Sequence, residues 1–166
     1  MARQGNTEYR NETEAIKYYD KALDIDPNNV GALNSKGFAL YRLGNYTEAI
    51  QYLDKALAIN PNNVPALTNK GLVYFTQGNY IDAKKYHEKA LTINPDFVYS
   101  LGELATIYHK QGNATGAIQY YNKVLDVNPE FTSGLYKLAD ILTEQGNYTG
   151  AIQYLDKALA VEADNI

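Results

Sequence analysis

The chain contains no cysteine and no tryptophan, only one methionine, two histidines and three serines. Without cysteine there is no disulfide framework, zinc ribbon, thiolate nucleophile or CxxC redox pair. The histidines, His87 and His109, have no second ligand at helical spacing, which argues against a metal centre. Ser35, Ser100 and Ser133 lie outside any nucleophile-elbow context. Long apolar stretches are also missing. Runs such as Leu72-Val73-Tyr74-Phe75 are far too short to span a bilayer. The first ten residues are polar and read as no secretory signal, so the expected compartment is the cytoplasm. A basic excess is absent: net charge is −4 and the isoelectric point near 5.1, which speaks against a nucleic-acid partner. These absences together predict a chain that is not an enzyme and needs no cofactor.

What the sequence does have is a period. Pro27, Pro61, Pro95 and Pro129 are spaced 34 apart, and so are the Gly-Asn pairs beginning at Gly44, Gly78, Gly112 and Gly146. Alanines keep step at Ala15, Ala49, Ala83, Ala117 and Ala151, and lysines at Lys21, Lys55, Lys89, Lys123 and Lys157. A fixed period of this size is the signature of a stacked-repeat architecture.

Each unit reads as two helices. In Val30–Asn63, Leu33, Leu40 and Leu43 fall near one helical stripe, and Gly44 stops the helix. Thr47 is the expected N-cap of a second helix, whose apolar residues run Ala49, Ile50, Leu53, Ala56, Leu57 and Ile59. Asn60-Pro61 ends it, and Asn62-Asn63 can cap the next. Helices of roughly 13 residues are marginal alone, so each pair must bury its stripe against the next.

The 34-residue period, the paired helices and the residue columns resemble the tetratricopeptide repeat. The resemblance implies an all-α fold, a right-handed α-solenoid of stacked antiparallel helix pairs. It divides the chain into an irregular segment at 1–12, a lone second helix at 13–29, and repeats at 30–63, 64–97, 98–131 and 132–166. The first-helix signature is altered: Leu33, Leu67, Leu101 and Leu135 stand where the family prefers tryptophan, and Lys36 and Lys70 where Leu104 and Leu138 keep leucine. The lysine stems are expected to lie over apolar surface with their heads in water. The acidic residues Asp20, Asp24, Asp54, Glu88 and Asp126 read as a solvated outer face, and His87 as a packing residue.

Twelve of the 16 tyrosines occupy repeated framework columns; Tyr9, Tyr41, Tyr99 and Tyr136 do not. In the family, first helices line a concave face that holds ligands. Carried across residue by residue, that face comprises Asn34, Phe38, Tyr41 and Arg42; then Thr68, Asn69, Leu72, Phe75 and Thr76; then Tyr99, Glu103, Thr106, His109 and Lys110; then Tyr136, Lys137, Asp140, Thr143 and Glu144. Partner contact is expected above all from Tyr41, Phe75 and Arg42. The carboxylate clamp of chaperone-binding relatives is not matched: of the five places only Asn69 fits, and Glu103 would repel a carboxylate. The Asn-x-Thr sequons at Asn11, Asn45, Asn113 and Asn147 read as by-products of the turn.

The resemblance thus implies a scaffold that binds a peptide or helix of a protein partner in its groove. The other expectation is a homo-oligomer, in which the lone N-terminal helix meets the last helix (Ala151, Ile152, Leu155, Ala158, Leu159) across copies.

Overall fold

The structure, a computed structural model, describes residues 2–164, with side chains from 11 to 163. All regular structure among them is α-helix. Two compact units form, Met1–Ile93 and Asn94–Ile166. The first holds α1 (Ala2–Ile25), α2 (Val30–Arg42), α3 (Tyr46–Ile59), α4 (Val64–Thr76) and α5 (Tyr80–Ile93). The second holds α6 (Val98–Lys110), α7 (Ala114–Val127), α8 (Thr132–Glu144) and α9 (Tyr148–Asp164). Sequence neighbours α2 and α3, α4 and α5, α6 and α7, and α8 and α9 pack as pairs. Within the units the pairs then stack, α1 on α2, α3 on α4 and α7 on α8.

Turn chemistry explains the pairing. Gly44, Gly78, Gly112 and Gly146 all have φ between 76° and 81°, a conformation that costs other residues about 1–2 kcal/mol. The asparagine that follows each glycine stands at the helix start. Asn113 and Asn147 accept from the backbone N–H of Gly116 and Gly150 at 2.9 and 3.0 Å. The second helices therefore begin two residues earlier than a Thr47-type cap requires: α3 starts at Tyr46, directly after Asn45. Ahead of α5, α7 and α9 the asparagine, not the residue two further on, accepts from an exposed amide, whereas Asn45 makes no such side-chain bond at α3. At the other junctions Asn29 and Asn63 cap α2 and α4 by accepting from Ala32 and Ala66, each at 2.9 Å.

The N-terminal end departs from the sequence expectation. Residues 1–12 read as irregular, but α1 runs unbroken from Ala2 to Ile25. No proline interrupts that stretch, and Gly5 costs only about 1 kcal/mol inside a helix. At the far end α9 continues for 17 residues, whereas α3, α5 and α7 stop after 14. They meet Asn-Pro; α9 has Ala163 in the proline column and no reason to stop.

Core residues recur by column. Ala49, Leu53 and Ala56 of α3 are fully buried between α2 and α4, and Ala117, Tyr121 and Val124 of α7 are buried at the same places. Gly37 and Gly71 let the second helix approach closely. A Cβ on Gly37 would stand 2.8 Å from Leu53 Cγ, and one on Gly71 would stand 2.7 Å from His87 Nε2. His87 is fully buried, and burial pushes its imidazole down from 6.5 to about 4. The packing role read from the sequence is the one it plays.

The lysines of unit 1 correct the sequence reading. Lys36 and Lys70 do not carry their ammonium groups to water; both residues are buried. Lys36 Nζ donates to Asp20 Oδ1 of α1 and, at 2.7 Å, to Tyr52 of α3, and Lys70 donates to Asp54 Oδ1 of α3. Lys70 also lies over the Tyr86 ring, 4.6 Å from its centre. Burial disfavours both ammonium groups, yet the bonds to Asp20 and Tyr52, and to Asp54 and Tyr86, outweigh it, so both pKa values end raised. Asp20 and Asp54 remain about half exposed, 48% and 53%, and also tether stacked helices through these lysines. In unit 2 the corresponding lysine place is Leu138, fully buried, and the acidic place is Asn122.

Candidate protein-binding faces of the first helices

In unit 1 the first helices α2 and α4 lie side by side and share one face. Asn69 Nδ2 donates to Asn34 Oδ1 at 2.9 Å. Thr76 Oγ1 donates to the Leu72 carbonyl at 3.0 Å, so the 3.2 Å contact with Tyr41 has the tyrosine hydroxyl as donor. Phe38 stacks on Tyr41 with ring centres 5.9 Å apart. Tyr41 in turn packs on Tyr46 at 6.0 Å, and Phe75 on Tyr80 at 5.6 Å. Phe38, Tyr41, Leu72 and Phe75 are all half-buried: one side of each rests on the framework and the other is open. The packing fixes their rotamers, so little side-chain entropy is left to lose on binding. Arg42 is placed elsewhere. Its guanidinium pairs with Glu12 of α1 at 3.0 Å, a partner invisible when residues 1–12 are read as irregular.

The first-helix face of unit 2 is polar. Ala114 stands where Tyr46 and Tyr80 pack in unit 1, so the tyrosine ring that packs on Tyr41 and Phe75 has no counterpart beside His109. A cleft of about 390 Å³ opens there, lined by Thr106, His109 and Lys110 of α6, Tyr121 of α7, and Lys137, Asp140, Thr143 and Glu144 of α8. His109 Nε2 and Glu144 Oε2 are 2.8 Å apart and bridge α6 to α8. Thr106 Oγ1 donates to the Gly102 carbonyl and so accepts from the Tyr121 hydroxyl at 2.9 Å. Burial pushes the Tyr121 phenol up, and it also pushes the nearby Glu103 carboxyl up. Lys137 and Asp140 approach to 3.8 Å along α8.

Three expected residues of unit 2, Tyr99, Glu103 and Tyr136, are not among those lining the cleft. Tyr99 is 68% exposed at the start of α6 and touches Phe97, ring centres 5.7 Å apart. Tyr136 donates its hydroxyl to Glu162 of α9 at 2.8 Å. The side chain of Tyr9 is outside the described residues. Tyr121 was assigned to the framework by its column; its hydroxyl reaches the cleft floor because Thr106 accepts it, which the column does not reveal. Among the described residues no group of three His, Asp or Glu side chains is placed to hold a metal ion, and no helix is long and apolar enough to cross a membrane.

Comparison with known proteins matches this architecture. Tetratricopeptide-repeat profiles align with residues 28–96 and 62–130, and others with 108–166 and 10–29. The chain belongs to the tetratricopeptide repeat family, and its fold is the family's stack of antiparallel helix pairs. Among solved structures, MamA is 25% identical, with 90% of this chain and 88% of that one covered and a TM-score of 0.77. PilF of Pseudomonas aeruginosa is 25% identical over 95% of this chain and 72% of its own, TM-score 0.83. PilW, described as a widely conserved type IV pilus biogenesis factor, is 28% identical over 87% and 67%, TM-score 0.76. No curated protein matches.

Proposed function

We propose that the chain is a protein-interaction scaffold whose first-helix faces receive a helix or extended segment of another protein. The observation that carries the reading is the unit 1 face, where Phe38, Tyr41, Leu72 and Phe75 present half-open apolar surface held in place by their neighbours and edged by the Asn34–Asn69 amides. Aromatic side chains so fixed are the usual anchors of protein interfaces. The unit 2 cleft, with charges of both signs, suits polar side chains of the same partner class. Family membership supports the scaffold role in general; the anchors and the groove mode are specific to this reading.

The test is affinity capture from source lysate with the intact chain as bait, followed by calorimetry with the captured protein. Tyr41→Ala combined with Phe75→Ala should abolish capture while circular dichroism shows unchanged helicity. Capture that survives in a folded double variant would remove the aromatic face from the site.

A further inference from the structure

The hydroxyl groups that line the unit 2 cleft spend their hydrogens on the protein itself. Thr143 Oγ1 donates to the Ala139 carbonyl at 2.8 Å, as Thr106 Oγ1 does to that of Gly102 at 3.0 Å. The Tyr121 hydroxyl donates in turn to Thr106. A hydroxyl has one hydrogen and two lone pairs, so what these three groups still offer the cleft is acceptor capacity alone. Tyr121 is 3% exposed, and its oxygen stands at the cleft floor shielded from bulk water.

Two carboxylates complete the acceptor set. Asp140 and Glu144 stand four apart on α8, and so on one face of it, where like charges repel. His109 donates Nε2–H to Glu144 Oε2, which leaves Oε1 with no hydrogen bond among the described residues. Lys137 Nζ is 3.8 Å from Asp140, too long for a hydrogen bond, and both side chains are at least half exposed, so water weakens their attraction. The corresponding places on the other first helices hold Phe38 and Arg42, Leu72 and Thr76, and Thr106 and Lys110, so the acidic pair belongs to α8 alone. Unit 2 as a whole carries four lysines and no arginine against nine aspartates and glutamates.

We infer that the unit 2 cleft takes the guanidinium of an arginine carried by the partner segment, with Asp140 and Glu144 meeting its charge and the Tyr121 and Thr143 oxygens accepting from its remaining N–H groups. The inference rests on the scaffold reading for the carrier of the ligand, a protein segment; the chemistry of the cleft stands without it. A guanidinium has five donors in a rigid plane and no acceptor, the complement of a wall that offers acceptors, whereas an ammonium has three donors. At about 390 Å³ the cleft is near the small end of ligand pockets, about 300–1,000 Å³, which suits one side chain rather than a whole helix. A carboxylate of the partner would meet Lys110 and Lys137, both exposed at the rim, but would find no donor among the hydroxyls deeper in.

The probe is N-acetyl-arginine amide, titrated into the isotope-labelled full chain and followed by NMR through the His109 ring signals. Saturable shifts in the millimolar range are expected of so small a ligand. The citrulline analogue, which keeps the shape and loses the charge, should give no saturable shift, and the lysine analogue should bind more weakly than arginine. Asp140→Asn and Glu144→Gln should each weaken arginine binding about three- to tenfold, and Lys137→Ala should strengthen it about twofold, a sign of change that a merely structural role would not give. The analogue series on the native chain gives the charge dependence even where a variant folds poorly. Tyr41→Ala with Phe75→Ala should leave the titration unchanged, so an error in the cleft chemistry and an error in the aromatic face give different results. Absence of saturable shifts, binding of the citrulline or lysine analogue equal to that of arginine, or tighter binding of the glutamate analogue overturns the inference. So does tighter binding of free arginine than of the capped probe, because the ligand is then an amino acid rather than a protein segment.

Discussion

His87 makes stability depend on pH in a way that can be isolated. Its imidazole is fully buried against Gly71, with its folded pKa near 4 against 6.5 for an ordinary histidine. Above pH 6.5 both folded and unfolded chains hold it neutral, and it contributes no pH dependence. Between 6.5 and 4 the unfolded chain takes up a proton that the folded chain refuses. Stability therefore falls as pH falls, by about 1.4 kcal/mol per unit, reaching about 2 kcal/mol at pH 5 and about 3 kcal/mol near pH 4. The control variant is built into the repeat: Leu53 occupies the same place over Gly37, so His87→Leu should pack without a new cavity. Glu103 works in the opposite direction. Burial raises its pKa, the folded state keeps the proton more readily, and acid favours folding through this group. It is present in both chains and cancels. Urea unfolding followed at 222 nm, at pH 7.5 and pH 5.0, should show the native chain losing about 2 kcal/mol more than His87→Leu between the two conditions. Equal losses in both chains would refute the assignment of the buried neutral imidazole.

The ion pairs of unit 1 should be asymmetric. Asp54→Asn leaves the Lys70 ammonium buried with Tyr86 alone and should cost about 1–3 kcal/mol, whereas Lys70→Leu leaves a half-exposed carboxylate that water can serve and should cost less; chemical denaturation of the two variants decides. Gly71→Ala forces a methyl group against the His87 ring and should cost about 1–3 kcal/mol, part of it recovered when His87→Ala is added, as a double-mutant cycle would register. Gly78→Ala meets no neighbour yet should cost about 1 kcal/mol because φ is +77°, and Gly78→Asn should cost less in the same thermal melt, since asparagine tolerates that conformation better.

The helices and their pairing were legible because they rest on local punctuation, Gly-Asn and Asn-Pro, repeated in register. What was not legible lies between repeats. Lys36 reads as an exposed lysine when its own helix is considered alone; its partners Asp20 and Tyr52 stand 16 residues away on either side. The contacts that shape the first-helix faces follow another offset: Asn34 with Asn69, Tyr41 with Thr76 and His109 with Glu144 are each 35 apart, one more than the period. A repeat read as a column of equivalent positions cannot show a bond that steps across columns. The α1 start was missed for a different reason, since nothing in the sequence of residues 2–12 marks where a helix starts, and the Arg42–Glu12 pair joins two helices 30 residues apart.

Lysine between stacked helices in one unit and leucine in the other give the two halves different thermal characters. Warming lowers the dehydration penalty of charged groups, so the joints at Lys36 and Lys70 gain relative ground as temperature rises. The joint at Leu138 and Ile141 depends on water's aversion to hydrocarbon, which fades on cooling. Chilling should therefore loosen the leucine-jointed half first, while the ionic half keeps its grip.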